Sequence, residues 1–290
     1  MTREWFLETV NISDIVKSKA RFEELVHFHW QYYSELEFQR NRIREQLKDS
    51  LRSKAGAFEF ANWQRAVKYK YCLDPLSVQG SLADPGGRFN VGRIDPARHP
   101  VFPALYIASD KGTALAEVLG REENAGSLTP EELALTKPDS IAIVSVSGKL
   151  DSVFDIHERS NLVPFVHLVR GFRLSSSLLR EARKLGEGLR LIQTASELRD
   201  NLEKREWRSW PMLFDVPATC QVFGGLVMNA GIEGIRYSSA ITGKECLAIF
   251  PQNFLNSSSF VQLDGPAPAE IVQARVDSTN FRKLLQYSPS

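Results

Sequence analysis

The chain changes character at residues 74–103, and this change restricts its fold more than any other feature. No proline precedes Pro75, whereas the following stretch is rich in residues that interrupt regular structure. These residues are Gly80, Pro85, Gly86, Gly87, Gly92, Pro96 and Pro100. A loop of this length inside a compact domain is usually functional or disordered. Because it also carries the motif described below, we expect a functional loop.

The part of the chain before this loop has a helical pattern. Apolar residues recur at helical steps over residues 14–53, with charged residues between them. The basic residues here alternate with acidic ones, so a solvated amphipathic helix is favoured over a basic arm. Residues 58–73 are aromatic-rich and are predicted to continue as a helix or packed connector. We therefore expect a helical N-terminal extension over residues 1–74.

The remaining residues, 75–290, are predicted to form one α+β domain. Strand and helix patterns mix there without a strict βαβ alternation, which disfavours a doubly wound sheet. The predicted strands are 104–108, 141–146, 153–156, 235–237 and 246–250. The predicted helices are 111–119, 176–205 and 221–230. Gly231 suits the left-handed position that follows a helix.

The charge balance and hydropathy exclude some classes of protein. The 36 Lys and Arg residues nearly balance the 35 Asp and Glu residues, for a net charge of +1. This gives no overall electrostatic reason to expect direct nucleic-acid binding. The N-terminus lacks a signal-peptide pattern, and no apolar run approaches the ~20 residues of a membrane span. The sequence therefore predicts a cytoplasmic protein without a membrane segment.

The cysteines and histidines give no metal-binding pattern. Cys72, Cys220 and Cys246 are scattered, and an odd number without a Cys-x-x-Cys pair argues against a disulfide framework or a zinc site. Buried small hydrophobes are the favoured interpretation of all three. The five histidines are also dispersed, and none form a His-x-x-x-His pair. We expect no metal.

The loop contains the motif Gly86-Gly87-Arg88-Phe89-Asn90. Glycines allow positive φ and close approach of a ligand, and the Arg88 guanidinium offers a planar set of donors suited to phosphate. The motif matches neither the dinucleotide fingerprint nor the phosphate-binding P-loop. Taken alone, it could be a glycine turn with a surface arginine.

Three further polar residues follow regular elements. Tyr106 lies on an apolar strand, where it could be core or a platform for a cationic ring. Glu117 lies beside an apolar helix face, where a carboxylate needs a partner, and a salt bridge to an arginine is the structural alternative. Ser239 follows a strand, where serines most often form turns. A serine hydrolase is disfavoured because no Gly-x-Ser-x-Gly elbow is present.

Together these pieces resemble the RES domain family, which is named for an arginine, a glutamate and a serine. The family pattern is Gly-Gly-Arg-aromatic-Asn, Leu-Tyr-x-Ala/Ser, an Ala-x-x-Glu helix and a late Tyr-x-Ser. The chain supplies these pieces, in order, as residues 86–90, 105–108, 114–117 and 237–239. The resemblance places Arg88, Glu117 and Ser239 at the catalytic positions of the family. It assigns NAD binding to Arg88, Tyr106, Gly87, Asn90 and Ser239.

The resemblance implies a fold related to ADP-ribosyltransferases, with a split β-sheet and NAD bound in a central cleft as a substrate and not as a cofactor. It implies an NAD glycohydrolase or phosphorylase that acts as a bacterial toxin and is neutralised by an Xre-type antitoxin. A homodimer is a further expected assembly. In the implied mechanism, Arg88 pairs with phosphate or ribose oxygens and Tyr106 stacks on nicotinamide. Glu117 binds the ribose hydroxyls and stabilises the ribosyl cation, and Ser239 orients Glu117 or the ribose.

Two other functions stay open at this point. A protein ADP-ribosyltransferase would use the same cleft, although such enzymes often carry a second glutamate or glutamine two residues before the catalytic one, where this chain has Leu115. A non-enzymatic protein would bind a partner through the helices of residues 14–53. The four motif pieces disfavour this last interpretation, since an inert scaffold has no need of all of them.

Overall fold

The computed structural model describes residues 12–119 and 141–285, with side chains from residue 18 onward. The chain divides into two compact units. One, the helical unit, comprises Met1–Ile43 and Gly171–Leu191. The other, the sheet unit, comprises Arg44–Arg170 and Ile192–Ser290.

The helical unit contains α1 (Ile12–Arg42) and α5 (Ser176–Leu185). Helix α5 begins at Ser175, whose hydroxyl accepts the N–H of Leu178, and ends at Gly186 in the left-handed conformation. The Glu35 carboxylate of α1 accepts the N–H of Ser175 at 2.9 Å, so the two parts of this unit are joined at the start of α5. A small buried core fills the space between the two helices: Phe28, Leu178, Ala182 and Leu185.

The sheet unit contains all of the described strands. They are β1 (Ala55–Lys68), β2 (Gly86–Gly87), β3 (Asn90–Val91), β4 (Leu105–Ala108), β5 (Ile141–Asp155), β6 (Gly234–Ser238), β7 (Glu245–Ile249), β8 (Phe260–Leu263) and β9 (Arg275–Asp277). Its helices are α2 (Arg44–Arg52), α3 (Lys111–Leu119), α4 (Arg159–Val169), α6 (Ala195–Leu202), α7 (Ser209–Phe214), α8 (Thr219–Asn229) and α9 (Phe281–Leu285). The structure is thus α+β, as the sequence predicts.

Strand β5 organises the main sheet. The strand order of this sheet is β1-β4-β7-β6-β5-β8-β9. Because β1 also pairs with β5, the five strands β1, β4, β7, β6 and β5 form a closed circuit of pairings. Residues 146–149 of β5 pair with β8, whereas residues 153–155 pair in parallel with β6. One part of β5 therefore pairs with β8 and another part with β6, and the sheet splits at this strand. Strands β2 and β3 form a separate hairpin that contains the glycine motif.

One large apolar core supports this sheet. The strand residues Leu105, Ile107, Leu150 and Leu247 are at most 3% exposed and pack in the same cluster. Alternation along β4 places Leu105 and Ile107 in this core and leaves Tyr106 on the other face. The core thus fixes the strand that carries one of the predicted site residues.

The helix or packed connector predicted over residues 58–73 is wrong, because Ala55–Lys68 is a strand. The expected N-terminal extension over residues 1–74 is therefore helical only in part. The pairing of β1 with β5 is irregular between Phe60 and Trp63, and Asn62 there has a φ of 59°. An extra residue at such a bulge spaces the two buried aromatics three apart, which imitates a helix in the sequence.

Other predicted elements differ in extent. The pattern over residues 14–53 forms two helices, α1 and α2. The two predicted strands at 141–146 and 153–156 are parts of one strand, β5. The helix predicted over 176–205 is two helices, because Gly186 ends α5 and a capping box at Thr194 begins α6. The helix predicted at 111–119 and the strand predicted at 104–108 are confirmed.

No single helix within residues 12–119 and 141–285 is long and apolar enough to cross a membrane. One pair, Arg205–Phe214 and Thr219–Asn229, passes the length and hydropathy test together, with a bend of 94° between the two parts. Buried core helices pass the same test.

Candidate active site

A cavity of about 350 Å³ opens in the sheet unit beside the glycine motif. Its lining includes Gly86, Gly87 and Arg88 of the motif, together with Tyr106, Glu117, Trp207 and Arg208. Among the described residues that line it, Glu117 is the one carboxylate. The basic lining residues are Arg65, Lys68, Lys70, Arg88 and Arg208. This excess of positive charge favours an anionic ligand.

Glu117 and Ser239 are brought together from positions 122 residues apart. The Ser239 hydroxyl donates to Oε1 of Glu117 at 2.5 Å. Within the part of the chain that the structure describes, Glu117 has this serine as its side-chain partner and forms no salt bridge with an arginine. The salt-bridge alternative is therefore wrong for the described arginines. The Glu117 carboxyl group therefore lines the cavity without a described guanidinium bound to it.

Ser239 is itself held in one orientation. It is 2% exposed, and its oxygen accepts the N–H groups of Ile241 and Thr242, each at 3.2 Å. With two donors on its oxygen, the hydroxyl has one proton to give, and that proton points to Glu117. Ser239 does not line the cavity. It orients the carboxylate, and its surface is almost fully buried.

The Arg88 side chain is nearly buried, with 6% exposed. Its Nη1 donates to the carbonyl oxygens of Leu202 and Lys204 at 3.1 and 2.8 Å. Its Nε is buried without a hydrogen-bond partner among the described residues. Arg88 lines the cavity and keeps one donor without a partner, which suits it to an anion, since a buried donor without a partner is unfavourable.

Tyr106 and Gly87 fit closely against each other. A Cβ at Gly87 would lie 2.4 Å from the Tyr106 hydroxyl oxygen, so only glycine allows this contact. The hydroxyl accepts the Phe89 N–H at 2.9 Å and donates to Oδ1 of Asn90 at 2.9 Å. Burial raises the pKa of Tyr106 well above its usual value, so the phenol stays neutral. Its polar group is used inside the protein, which leaves the ring to face a ligand.

Asn90 lies behind the cavity wall and is fully buried. Its Oδ1 accepts the Gly87 N–H at 2.9 Å, and its Nδ2 donates to the carbonyl oxygens of Ser81 and Phe102. All of its hydrogen-bonding groups therefore hold the hairpin. The geometry gives Asn90 a positioning role where the family resemblance assigns it contact with a ligand.

Replacing Tyr106 by Phe tests how much the hydroxyl stabilises the hairpin. The change leaves the buried N–H of Phe89 without its acceptor, and an unsatisfied buried donor costs about 1–3 kcal/mol. We expect urea unfolding to give a free energy of unfolding lower by that amount. Tyr69→Phe is the control, because Tyr69 is 64% exposed, and it should leave the free energy unchanged. Equal stabilities for the two variants would contradict the assigned bond.

Several cavity residues were missed by sequence reasoning. Arg65 donates to the carbonyl oxygens of Pro75, Ser77 and Tyr106 at 2.5–2.8 Å, and burial lowers its pKa to about 10. It fastens β1 to the loop and to β4. Trp207 is 5% exposed, with the Arg208 guanidinium 4.9 Å from its ring centroid. In the sequence, the available signal for Trp207 was that it is the one aromatic residue among the charged residues at 203–208.

Two of the three cysteines are buried thiols. Cys220 and Cys246 are buried, as expected, but Cys72 is only partly buried. Burial raises the pKa of the Cys220 thiol to about 12 and that of Cys246 further, so neither is a thiolate near neutral pH. No group of three or more potential metal-ligating side chains occurs in residues 12–119 or 141–285.

The fold and the cavity define an α+β protein with a cationic ligand site and one serine-held carboxylate. The family model of the RES domain matches residues 62–264, which is more than half of the chain. The chain therefore belongs to the RES domain family, and the resemblance seen in its motifs is confirmed.

No curated protein matches the chain. Among solved structures, it is similar to a chain in the crystal structure of the M. tuberculosis MbcT–MbcA toxin–antitoxin complex. The sequence identity is 16%, and the alignment covers 83% of this chain and 97% of that chain. The TM-score is 0.39, a value too low to carry a structural argument.

Proposed function

We propose that this protein cleaves the bond between nicotinamide and ribose in NAD. The observation that carries the proposal is the hydrogen bond between Ser239 and Glu117 at the wall of a cationic cavity. A fixed carboxylate supplies negative charge where a positive sugar develops, and anchored arginine donors supply positive charge for a diphosphate. NAD carries both groups in one molecule.

In the proposed reaction, the lining residues have separate roles. Arg88 binds a phosphate of NAD, and the Tyr106 ring supports the nicotinamide. The carbon–nitrogen bond breaks, and its electron pair leaves with nicotinamide, whose ring nitrogen thereby becomes neutral. Glu117 stabilises the ribosyl cation that remains. Water then adds to that carbon and releases a proton, which gives ADP-ribose, or phosphate adds in its place. The departing group needs no proton, so the scheme does not require a histidine.

Family membership and the divided sheet support an ADP-ribosyltransferase-like fold for the sheet unit. Family membership also supports a toxin role and an Xre-type antitoxin as partner. Expression of the intact chain in a bacterial host should lower cellular NAD and stop growth. Co-expression of the antitoxin, if it is encoded next to this chain, should restore both. A host that keeps its NAD and grows normally would contradict the toxin role.

Incubating the purified protein with NAD tests the enzyme activity directly. We expect nicotinamide and ADP-ribose to appear, or ADP-ribose phosphate when phosphate is added. Label from NAD on a protein would instead indicate an ADP-ribosyltransferase. If NAD persists with water, phosphate and protein acceptors all present, the proposal is wrong.

Replacing Ser239 by Ala should lower kcat about tenfold, since mispositioned catalytic groups commonly cost one to two orders of magnitude. The change removes the donor that orients Glu117 and leaves the charge in place. Ser238→Ala is the matched control, because Ser238 contributes its backbone N–H to the site region and that group remains. Steady-state kinetics of the two variants should differ. Equal kcat values would mean that Ser239 does not position Glu117.

A further inference from the structure

The segment Leu202–Lys204 at the end of α6 contacts both halves of the candidate site. The carbonyl oxygens of Leu202 and Lys204 accept Nη1 of Arg88 at 3.1 and 2.8 Å. Between them, Oε1 of Glu203 accepts the N–H of Ser238 at 3.1 Å. Ser238 directly precedes the serine that orients Glu117. Three consecutive residues therefore hold the arginine side and the carboxylate side.

The Ser238 N–H needs this acceptor because strand β6 extends beyond the end of the neighbouring strand β5. Strand β5 pairs with β6 as far as Asp155, which lies opposite Arg236. Beyond that point β5 ends, while β6 continues to Ser238. A backbone N–H at the end of such a strand must find another partner. Glu203 supplies it from outside the sheet.

The Glu203 carboxylate is itself fixed. Its Oε2 accepts Nε of Arg199 at 3.0 Å, one helical turn earlier, and the two side chains are 18% and 22% exposed. Arg199 also donates to the carbonyl oxygen of His157 at 3.3 Å. Glu203 is thus bound on both oxygens, and its position is tied to the chain that follows β5. A half-buried carboxylate with two such bonds can hold Ser238 at a fixed position relative to Arg199.

We propose that Glu203 is a positioning residue for the reaction at this cavity. It keeps Ser238 and Ser239 in register with Glu117, and it keeps the flanking carbonyl groups on Arg88. Glu203 does not line the cavity and touches no substrate. This inference rests on the proposed NAD cleavage for its kinetic consequences, whereas the positional coupling that it asserts does not depend on the substrate.

The kinetic test compares three variants. Glu203→Ala should lower kcat/KM for NAD between about tenfold and a hundredfold. We expect kcat to fall because Glu117 is misplaced and KM to rise because Arg88 is misplaced. Glu203→Gln keeps an oxygen for the Ser238 N–H and should recover kcat to within about threefold of the native value. Glu197→Ala is the control on the same helix. It removes the capping box of α6 but no contact with the site, so its kcat and KM should be native.

Thermal unfolding separates a loss of side-chain positioning from a loss of overall stability. Glu203→Ala and Glu197→Ala should both lower the melting temperature, and the kinetics are compared well below either value. Native kinetics for Glu203→Ala would overturn the proposal, as would equal losses in both variants. So would a Glu203→Gln variant no better than Glu203→Ala.

Hydrogen exchange keeps the test independent of the proposed function. In Glu203→Ala, amide exchange should quicken at residues 86–90 and at 238–242 together, whereas Glu197→Ala should affect residues 195–202 alone. If the native protein does not cleave NAD, the proposed function fails, and this exchange pattern still decides the role of Glu203. Unchanged exchange in both site segments would refute the coupling.

Discussion

Replacing Glu117 by Gln should abolish most NAD cleavage while leaving NAD binding. The Gln amide oxygen can still accept the Ser239 hydroxyl, so the variant removes the charge and keeps the geometry. Electrostatic groups aimed at the transition state commonly contribute about 10²–10³-fold to kcat. We therefore expect a loss of at least that size in kcat, with a thermal shift by NAD that stays close to native.

Asp110→Asn is the charge-matched control for that experiment. Asp110 lies just before the same helix, where its carboxylate accepts the Thr113 N–H at 3.1 Å, and it does not line the cavity. Asparagine also caps helices well, so the control loses one negative charge and the ion pair with Lys244 but keeps the cap. Its kcat should stay within about twofold of native. If Glu117→Gln keeps more than a tenth of the native kcat, Glu117 does not stabilise the ribosyl cation.

Adding one methyl group at Gly224 should disrupt the site from behind. A Cβ at this position in α8 would lie 2.0 Å from the carbonyl oxygen of Phe89, which is backbone and cannot rotate away. Overpacking of this kind typically costs 1–3 kcal/mol, sometimes more. The displaced backbone adjoins Arg88, so Gly224→Ala should lose both stability and NAD cleavage.

The adjacent glycine offers a sharp comparison. A Cβ at Gly225 would meet the Phe102 ring at 3.6 Å, which is ordinary van der Waals contact. Because alanine favours a helix over glycine by about 1 kcal/mol, Gly225→Ala should be neutral or more stable than native. Urea unfolding of the two variants, with equal m values, measures the difference. Similar stabilities would show that α8 does not pack on Phe89 as closely as described.

The close approach of α8 also explains why Gly224 occurs inside a helix. Gln221, one turn earlier, donates from Nε2 to the carbonyl oxygens of Pro85 and Asn90 at 2.8 and 3.0 Å. Helix α8 thus holds the loop by hydrogen bonds at Gln221 and by backbone contact at Gly224. The sequence indicates a helix with two weak positions. The structure assigns a packing reason to one of them.

Local patterns were enough for several elements. The capped helix at 111–119 and the short strand at 104–108 follow from neighbouring residues, because capping and alternation act over a few positions. The strand β1 could not be predicted this way. Its bulge gives the buried aromatics a helical spacing, and its stability comes from pairing with β5, which lies far along the chain.

The sequence by itself determined the membership of a family, the α+β class and a set of candidate polar site residues, since these depend on residue types and their order. Only the tertiary structure decided which of those residues contact one another and which of them line the cavity. It joins Ser239 to Glu117 across 122 residues, turns Asn90 inward, and anchors Arg88 on the end of α6. Hydrogen bonds between distant segments depend on where the whole sheet brings their backbones. Spacing along the chain does not contain that information.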